Sequence, residues 1–412
     1  MKVDTMRRID RWVGIPLCFI LTLLSPLFLR RPSLSKPKRI LFIELSEMGS
    51  TILADPAMRK ARQVFGAELY FLIFKRNAPS LDFLNTIPDD NVCTIREDGL
   101  ITLALDVFRF MLWARKKGID TAVDLELFSR VSTLLTAFSG AERRVGFHRF
   151  HNEGLYRGEF LSHRVAYNPH IHIAKNFIAL INALACPVVE TPYSKTYISD
   201  EEITLPRIIA GERESEQMQG RIRAAYPAYD PAVHRIVLLN PNASELLPQR
   251  RWPQGHFAAL GNMVLTKCEN VIILITGSPD EDFGAEKLKT RTDHPRIVNF
   301  AGKVKLNELP LLYEIAALMV TNDSGPGHFA AVTDMPTIVL FGPETPALYG
   351  PLGNTECITA QLACSPCVSA ANHRKTACTD PLCMQAIPPE RVMDSIEAVL
   401  EQGLLPNHRH LA

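Results

Sequence analysis

The sequence predicts an α/β fold of two doubly wound domains. Short apolar runs bounded by turn residues alternate with longer helix-like stretches, the pattern of parallel strands joined by crossover helices. The pattern begins twice, at Arg39 and again at Arg235, with a charged, proline-marked stretch between. In the second half, Leu318 to Phe341 reads as strand, glycine-rich loop, short helix and strand, with the loop at the strand's carboxyl end, where open α/β sheets take ligands. A length of 412 residues suits two domains of ordinary size, and 47% hydrophobic with 22% charged residues supports a sizeable core. A net charge of +1 offers no electrostatic case for nucleic acid, so none is expected as a partner.

The amino terminus stands apart. Trp12 to Leu29 carries no charge, while Arg7, Arg8 and Arg11 precede it and Arg30 and Arg31 follow. The run is slightly short for a spanning helix and holds Pro16 and Pro26, the second expected to break a helix before its end. No small-residue cleavage site follows, which argues against a cleaved signal peptide. Basic flanks on an apolar run predict a segment that contacts a membrane surface, with a short transmembrane anchor as the rival reading. Residues 1–37 are thus set apart as a membrane-associated segment and linker.

The first domain, residues 38–230, opens with the buried strand Arg39 to Ile43 and a turn, Glu44 to Thr51, followed by a helix from about Ile52 to Val64. Strands follow at Leu69 to Ile73, Thr121 to Leu125 and Arg143 to Phe147, with a helix over Arg130 to Phe138 and another between Ala166 and Leu184. His170 and His172, two apart, face different ways on a helix and make no metal pair. The second domain, residues 231–412, starts after the turn at Pro227 to His234. Its strands are Arg235 to Asn240, Val271 to Ile275, a run ending at Val320, and Thr337 to Phe341. A helix covers His256 to Thr266, and a final helix, Pro389 to Leu400, is expected to pack back across the domains.

The loop Thr321 to His328 has the makings of an anion site. Asp323 and Ser324 are good N-cap residues, Gly325 and Gly327 permit close approach of a phosphate, and His328 lies in the first helical turn. A capped helix after a strand, with His328 an ordinary polar residue, explains the same pattern. Four of the nine cysteines, Cys364, Cys367, Cys378 and Cys383, cluster in an insertion spanning 357–384. Their spacing fits a structural zinc tetrahedron or an iron–sulphur cluster; reduced thiols or a labile disulfide bracing a loop are the alternatives. The cysteines do not resemble a secreted disulfide framework.

Thr321 to Ala331, Ile338 to Pro343 and Tyr349-Gly350-Pro351 together resemble the carboxyl-terminal signature of glycosyltransferase family 9, the heptosyltransferases of lipopolysaccharide core synthesis. Arg39 to Met58, Val123-Asp124-Leu125, Arg144 to Phe147, the Arg250 to Pro253 element, Gly277 to Glu281 and Gly302-Lys303 resemble its other motifs, so the likeness runs from about Lys38 to Leu400. It implies the GT-B arrangement, two Rossmann-like domains facing a cleft. It also implies inverting transfer of a sugar, heptose-like, from a nucleotide-diphosphate donor to a lipid-linked or lipopolysaccharide-core acceptor. Transfer would need no cofactor and would take place at the cytoplasmic face of the bacterial inner membrane.

Carried over by residue, Ser244, Arg250, Asp323, Ser324, Gly325 and His328 would serve the donor diphosphate and Glu281 its ribose. Asp323 would act by capping its loop rather than by touching phosphate. His172 and Lys175 would line the acceptor side. The family places an Asp after the turn glycine as its presumed base; here that position is Ser50, and a hydroxyl cannot serve unaided. Glu44 and Glu47 stand in the same loop, where two carboxylates would raise one another's pKa and supply a base; two solvated loop acids are the alternative. The missing Asp also admits a second reading, a membrane-attached nucleotide-sugar or glycan-binding protein without transfer activity. A sugar-nucleotide epimerase fits the order of motifs and the apolar amino terminus less well.

Overall fold

The computed structural model describes residues 3–29, 35–45, 47–150, 155–186, 195–369, 372, 374–403 and 405. The apolar runs become strands buried along nearly their whole length, as parallel strands covered on both faces must be. The chain divides into two compact units, Met1–Ile203 with Ala370–Arg374, and Thr204–Ser369 with Lys375–Ala412.

The first unit begins with α1 (Val3–Trp12) and α2 (Gly14–Phe28). It continues through β1 (Arg39–Ile43), α3 (Met48–Phe65), β2 (Glu68–Phe74), β3 (Val92–Ile95) and α4 (Leu100–Lys117). Then come β4 (Thr121–Asp124), α5 (Arg130–Phe138), β5 (Arg143–Phe147), β6 (His163–Val165) and α6 (Ile173–Ala185). Its six-stranded sheet runs β3-β2-β1-β4-β5-β6, all parallel. The order reverses between β1 and β4, so the loops after those two strands diverge and leave a crevice. One side of the core joins Leu41, Ile43, Tyr70 and Leu72 to Phe110 and Ala114 of α4.

The second unit holds α7 (Glu212–Ala225), β7 (Arg235–Asn240), α8 (Gln254–Lys267), β8 (Val271–Ile275), α9 (Asp282–Thr292) and β9 (Ile297–Asn299). After these come α10 (Leu309–Ile315), β10 (Leu318–Asn322), α11 (Gly325–Ala330), β11 (Thr337–Phe341) and α12 (Pro346–Tyr349). The unit closes with β12 (Thr355–Thr359), α13 (Leu382–Gln385) and α14 (Pro389–Gln402). Its parallel sheet is ordered β12-β11-β10-β7-β8-β9 and reverses between β7 and β10. The division at 203/204 falls ahead of the boundary expected at 230/231. The reason is that α7 packs on α10 and Ile208 N donates to Val332 O at 2.8 Å, which ties the stretch before Pro227 into the second core. In α14, Val392, Met393, Ile396 and Val399 join Phe257, Leu260 and Val264 of α8 in the core of the second unit.

The apolar amino terminus folds as a helix of 15 residues, about 22 Å long, against the roughly 30 Å of a hydrocarbon core. No helix among the described residues is long and apolar enough to cross a membrane. Pro16 sits in the first turn of α2, where its missing N–H costs nothing; Pro26 falls in the last turn, and Leu29 N still closes on Ser25 O at 2.8 Å. Cys18 of α2 packs with Leu134 and Ala137 of α5 and with Phe160. Asp10 of α1 accepts from Arg130 N (2.7 Å) and Val131 N (3.2 Å), satisfying donors at the start of α5, and pairs with the Arg130 guanidinium at 2.9 Å. Arg30 and Arg31 lie outside the described residues.

Candidate active site

Each sheet presents polar residues at its own reversal point. In the first unit the loop after β1 carries Glu44 and Glu47, and the loop after β4 carries Glu126. Glu126 was not singled out from the sequence, although it directly follows the Val-Asp-Leu strand end. Its Oε1 accepts from Leu45 N at 2.9 Å, so the two diverging loops are tied together by a buried carboxylate. Asn77 braces the same loop by donating to Leu45 O at 2.7 Å.

Glu44 is buried, and its N–H continues the β1–β2 pairing by donating to Leu72 O at 3.2 Å. Glu47 takes the N-cap position of α3 without capping it. Its Oε1 meets Arg374 Nη1 at 2.6 Å, a cation that the local sequence did not announce. A guanidinium fork orients a carboxylate as well as balancing its charge. Ser50 is half-buried in the first turn of α3. Ser46, of the same turn, lies outside the described residues. Below the loop, Asp124 at the end of β4 is bound by Arg157, which also donates to Ser129 O (2.8 Å), Glu126 O (2.6 Å) and Ser132 Oγ (2.8 Å). Burial pushes the Asp124 carboxyl up against the opposing pull of Arg157. Its work is to hold the strand ends. His172 caps α6 by accepting from Ala174 N at 3.2 Å and is buried, and Lys175 pairs with Asp200 at 2.6 Å, so both side chains have local structural work.

In the second unit the loop after β7 meets the loop after β10. Arg250 Nη1 lies 3.5 Å from Asp323 Oδ2, and both side chains are almost wholly buried. The Asp323 carboxylate faces this guanidinium, and its own N–H extends the β10–β11 pairing to Leu340 O at 3.0 Å. Ser324 does occupy the N-cap of α11, but its hydroxyl donates back to Asn322 O at 3.2 Å instead of accepting from the helix. Gly325 and Gly327 were expected to open space for a phosphate. A Cβ on Gly327 would lie 3.3 Å from Val339 and Pro351, and one on Gly325 3.1 Å from the Phe329 ring, so both glycines allow close packing of protein on protein. His328 is buried.

Asn322 is the residue the sequence reading passed over. Its amide donates to Pro241 O (2.9 Å) and Asn242 O (3.2 Å), and its Oδ1 accepts from Trp252 N (3.0 Å). One side chain thus pins the β7 loop to the end of β10. Trp252 is buried in the core with its indole N–H on Ile387 O at 3.0 Å, which fixes the Arg250-Arg251 pair above it. Arg251 donates to Ala243 O at 2.7 Å and to the exposed Glu245 at 2.5 Å. Ser244 is exposed, its hydroxyl accepting from Leu246 N at 3.2 Å. Glu281 accepts from Ser278 N at 2.7 Å, so the acid expected to reach a ribose is engaged in capping its own turn.

The four clustered cysteines do not form the expected metal site: among the described residues no group of three or more His, Cys, Asp or Glu side chains is placed to hold a metal ion. Cys364 is exposed, and Cys367 and Cys378 turn to Thr376 Oγ1 (3.5 Å) and Asp380 O (3.2 Å). Cys383 is buried beside Gly342, where a Cβ would come within 2.9 Å of its sulphur. Two of the thiols, Cys367 and Cys378, thus make local polar contacts within the loop, and burial pushes Cys383 up.

Known proteins share this fold. The solved structure of Escherichia coli ADP-heptose LPS heptosyltransferase II matches with a TM-score of 0.66 at 20% identity, covering 89% of this chain and 99% of that one. The glycosyltransferase family 9 structure from Veillonella parvula gives 0.66 at 18% identity, covering 88% and 97%. Both show the two-unit α/β fold. Among curated relatives, lipooligosaccharide heptosyltransferase 2 of Haemophilus influenzae is 37% identical over 117 residues, 28% of this chain and 34% of that protein. Lipopolysaccharide heptosyltransferase 2 of Salmonella typhimurium is 32% identical over 113 residues, covering 27% and 32%. The matched part spans about a third of the length of these relatives. The family model described as glycosyltransferase family 9 (heptosyltransferase) matches residues 114–377, more than half of the chain, so this protein belongs to glycosyltransferase family 9.

Proposed function

We propose that the protein is a glycosyltransferase that moves a heptose-type sugar from a nucleotide-diphosphate donor, ADP-heptose by the names of its relatives, to a lipopolysaccharide-core or lipid-linked acceptor, with inversion and without a cofactor. The observation that carries this is the buried Arg250–Asp323 pair at the reversal point of the second sheet, held there by Asn322. A guanidinium fixed in a largely dry position suits the charge that develops on a departing diphosphate. Asp323 orients that guanidinium and leaves most of its N–H groups for the ligand.

In the reaction the acceptor oxygen bonds to the anomeric carbon while the bond to the diphosphate oxygen breaks. The electron pair leaves on the nucleoside diphosphate, and the hydroxyl proton passes to a carboxylate. Glu47 is assigned as that base. It is the loop acid with access to solvent, whereas Glu44 is buried, and Ser50 lacks the chemistry. Ser244, Ser324, Gly325 and His328 are assigned to the donor side with Arg250, and Glu281 to the ribose on rearrangement of its turn. The exposed apolar amino terminus supports attachment to the cytoplasmic face of the bacterial inner membrane.

A donor panel tests the reading. Purified protein is incubated with nucleotide sugars and rough lipopolysaccharide, and nucleoside diphosphate release is followed. Acceptor-dependent release from one donor is expected, and Glu47→Gln should lower kcat at least about a hundredfold. Normal turnover by both Glu47→Gln and Glu44→Gln would remove the base assignment. Donor binding without release, across acceptors, would favour the second reading, a binding protein whose Ser50 replaces the catalytic acid.

A further inference from the structure

We propose that α4 is a second membrane-docking element, and that the first unit meets an anionic phospholipid bilayer through α2 and α4 together. This inference rests on the membrane attachment proposed above and extends it to a helix in the middle of the domain.

The inner face of α4 does ordinary work, with Phe110 and Ala114 in the core. Its outer face is unusual. Ile101, Leu105, Phe108 and Leu112 follow one another at steps of four, three and four, the repeat of a single helical stripe. They are 79%, 55%, 57% and 55% exposed, and nothing among the described residues covers them. A soluble helix puts its charged face outward; this one is apolar inside and out.

The exposed charges on α4 itself all have one sign, with the exposed acid Asp98 just ahead of the helix. Arg109, Arg115 and Lys116 share the exposed side of α4, whose one acid, Asp106, is buried and bound by Arg96 through bonds of 2.9 and 2.8 Å. A cavity of about 400 Å³ opens beside it, whose charged lining is Lys75, Arg96, Arg109 and the one acid Asp106. Bases over an apolar strip, with a basic hollow at its margin, match an anionic headgroup layer above acyl chains.

The neighbouring helices indicate where that layer lies. α5 touches both α2 and α4. Arg115 of α4 donates to Phe138 O at 3.2 Å, and the Phe138 ring lies 6.5 Å from Phe28 of α2. α2 covers α5, and α2 in turn exposes Phe19, Ile20, Leu23 and Leu27. Two helices that both touch α5 thus present apolar residues that nothing among the described residues buries, and both carry flanking bases, Arg8 and Arg11 on α1 beside α2. Bilayer contact buries both strips without asking either helix to span.

The experiment uses full-length protein and vesicles of phosphatidylcholine alone or mixed with phosphatidylglycerol, scored by co-sedimentation. The variants are Ile101→Ser with Phe108→Ser on α4, Arg109→Ala with Lys116→Ala on its basic side, and Phe19→Ser with Leu23→Ser on α2. All six positions are exposed, and circular dichroism confirms folding. The first pair should weaken binding to mixed vesicles at least about tenfold. The second should weaken it about fivefold per charge on mixed vesicles and leave phosphatidylcholine binding unchanged. Nucleoside diphosphate release with a detergent-dispersed acceptor should be normal in all three, which separates docking from catalysis. Wild-type binding by both α4 variants, with loss in the α2 variant, would overturn the role of α4 and leave amino-terminal attachment standing. If sedimentation velocity shows a dimer that the first pair converts to monomer with vesicle binding unchanged, the stripe is a contact between two copies and the proposal fails. Absence of wild-type binding to mixed vesicles would end both readings while leaving the transferase assignment to the donor panel.

Discussion

Arg250 and Asp323 cannot be separated without cost, because each would leave a charge in a place closed to water. Arg250→Ala should destabilise the second unit by about 3 kcal/mol, and Arg250→Ala with Asp323→Ala should recover much of that while donor affinity stays low. Thermal unfolding and donor titration of the three variants check this; recovery of affinity in the double variant would mean that Arg250 is structural only. Asn322→Ala removes partners from Pro241 O, Asn242 O and Trp252 N together and should cost on the order of 2–4 kcal/mol by denaturant unfolding. Asn322 stands in plain view in the Thr-Asn-Asp-Ser-Gly signature. Its role was not legible there, because the groups it satisfies come from a loop after a different strand. Glu47 shows the same limit: its position was readable and its partner Arg374 was not.

At the scale of elements, the strands were the most legible part. Arg39–Ile43, Arg143–Phe147, Arg235–Asn240, Val271–Ile275 and Thr337–Phe341 all fall where their apolar runs predict. Strands buried on both faces read as continuous hydrophobic stretches with no competing period. Edge elements were harder to see: β3, β6 and β9 are short, and their residues, like those of β12, mix polar with apolar. The helix α4 carries apolar residues on every side, so periodicity gives it no inner face. The junction of α1 and α5 offers a direct test. Asp10 supplies acceptors to Arg130 N and Val131 N and charge to the Arg130 guanidinium, and with Asp10→Ala the amino-terminal helices should loosen from α5. Limited proteolysis should then cut before Arg39 several-fold faster while the rest of the chain stays protected; unchanged cleavage would mean that Cys18 and Phe28 hold α2 by themselves.

For the whole molecule, His163 makes folding sensitive to acid. Burial first, then the Arg143 and Arg144 guanidinium groups, lowers its pKa to about 4. In the unfolded chain the ring titrates near 6.5. Between those values the unfolded state binds the extra proton, so stability falls as pH drops from about 6.5 towards 4 and is unaffected above that window. The loss should be on the order of 1–2 kcal/mol, and His163→Gln should flatten it while keeping a partner for Ser162 Oγ; an unchanged slope in chemical unfolding would assign the acid sensitivity elsewhere.

The sequence by itself determined the two parallel sheets, the order of most helices and the places where polar loops leave the strands. These depend on residues close in the chain, whose backbone preferences and burial pattern are local. Only the tertiary structure decided which loops meet. Glu126 on Leu45, Arg250 on Asp323 and the cation beside Glu47 all join segments distant in sequence, brought together where each sheet reverses its strand order. It also decided that Cys367 and Cys378 turn to Thr376 and Asp380, and that α4 leaves an apolar stripe outside. Both outcomes follow from how whole layers pack, because the direction a side chain faces is set by the elements around it and not by its neighbours in the chain.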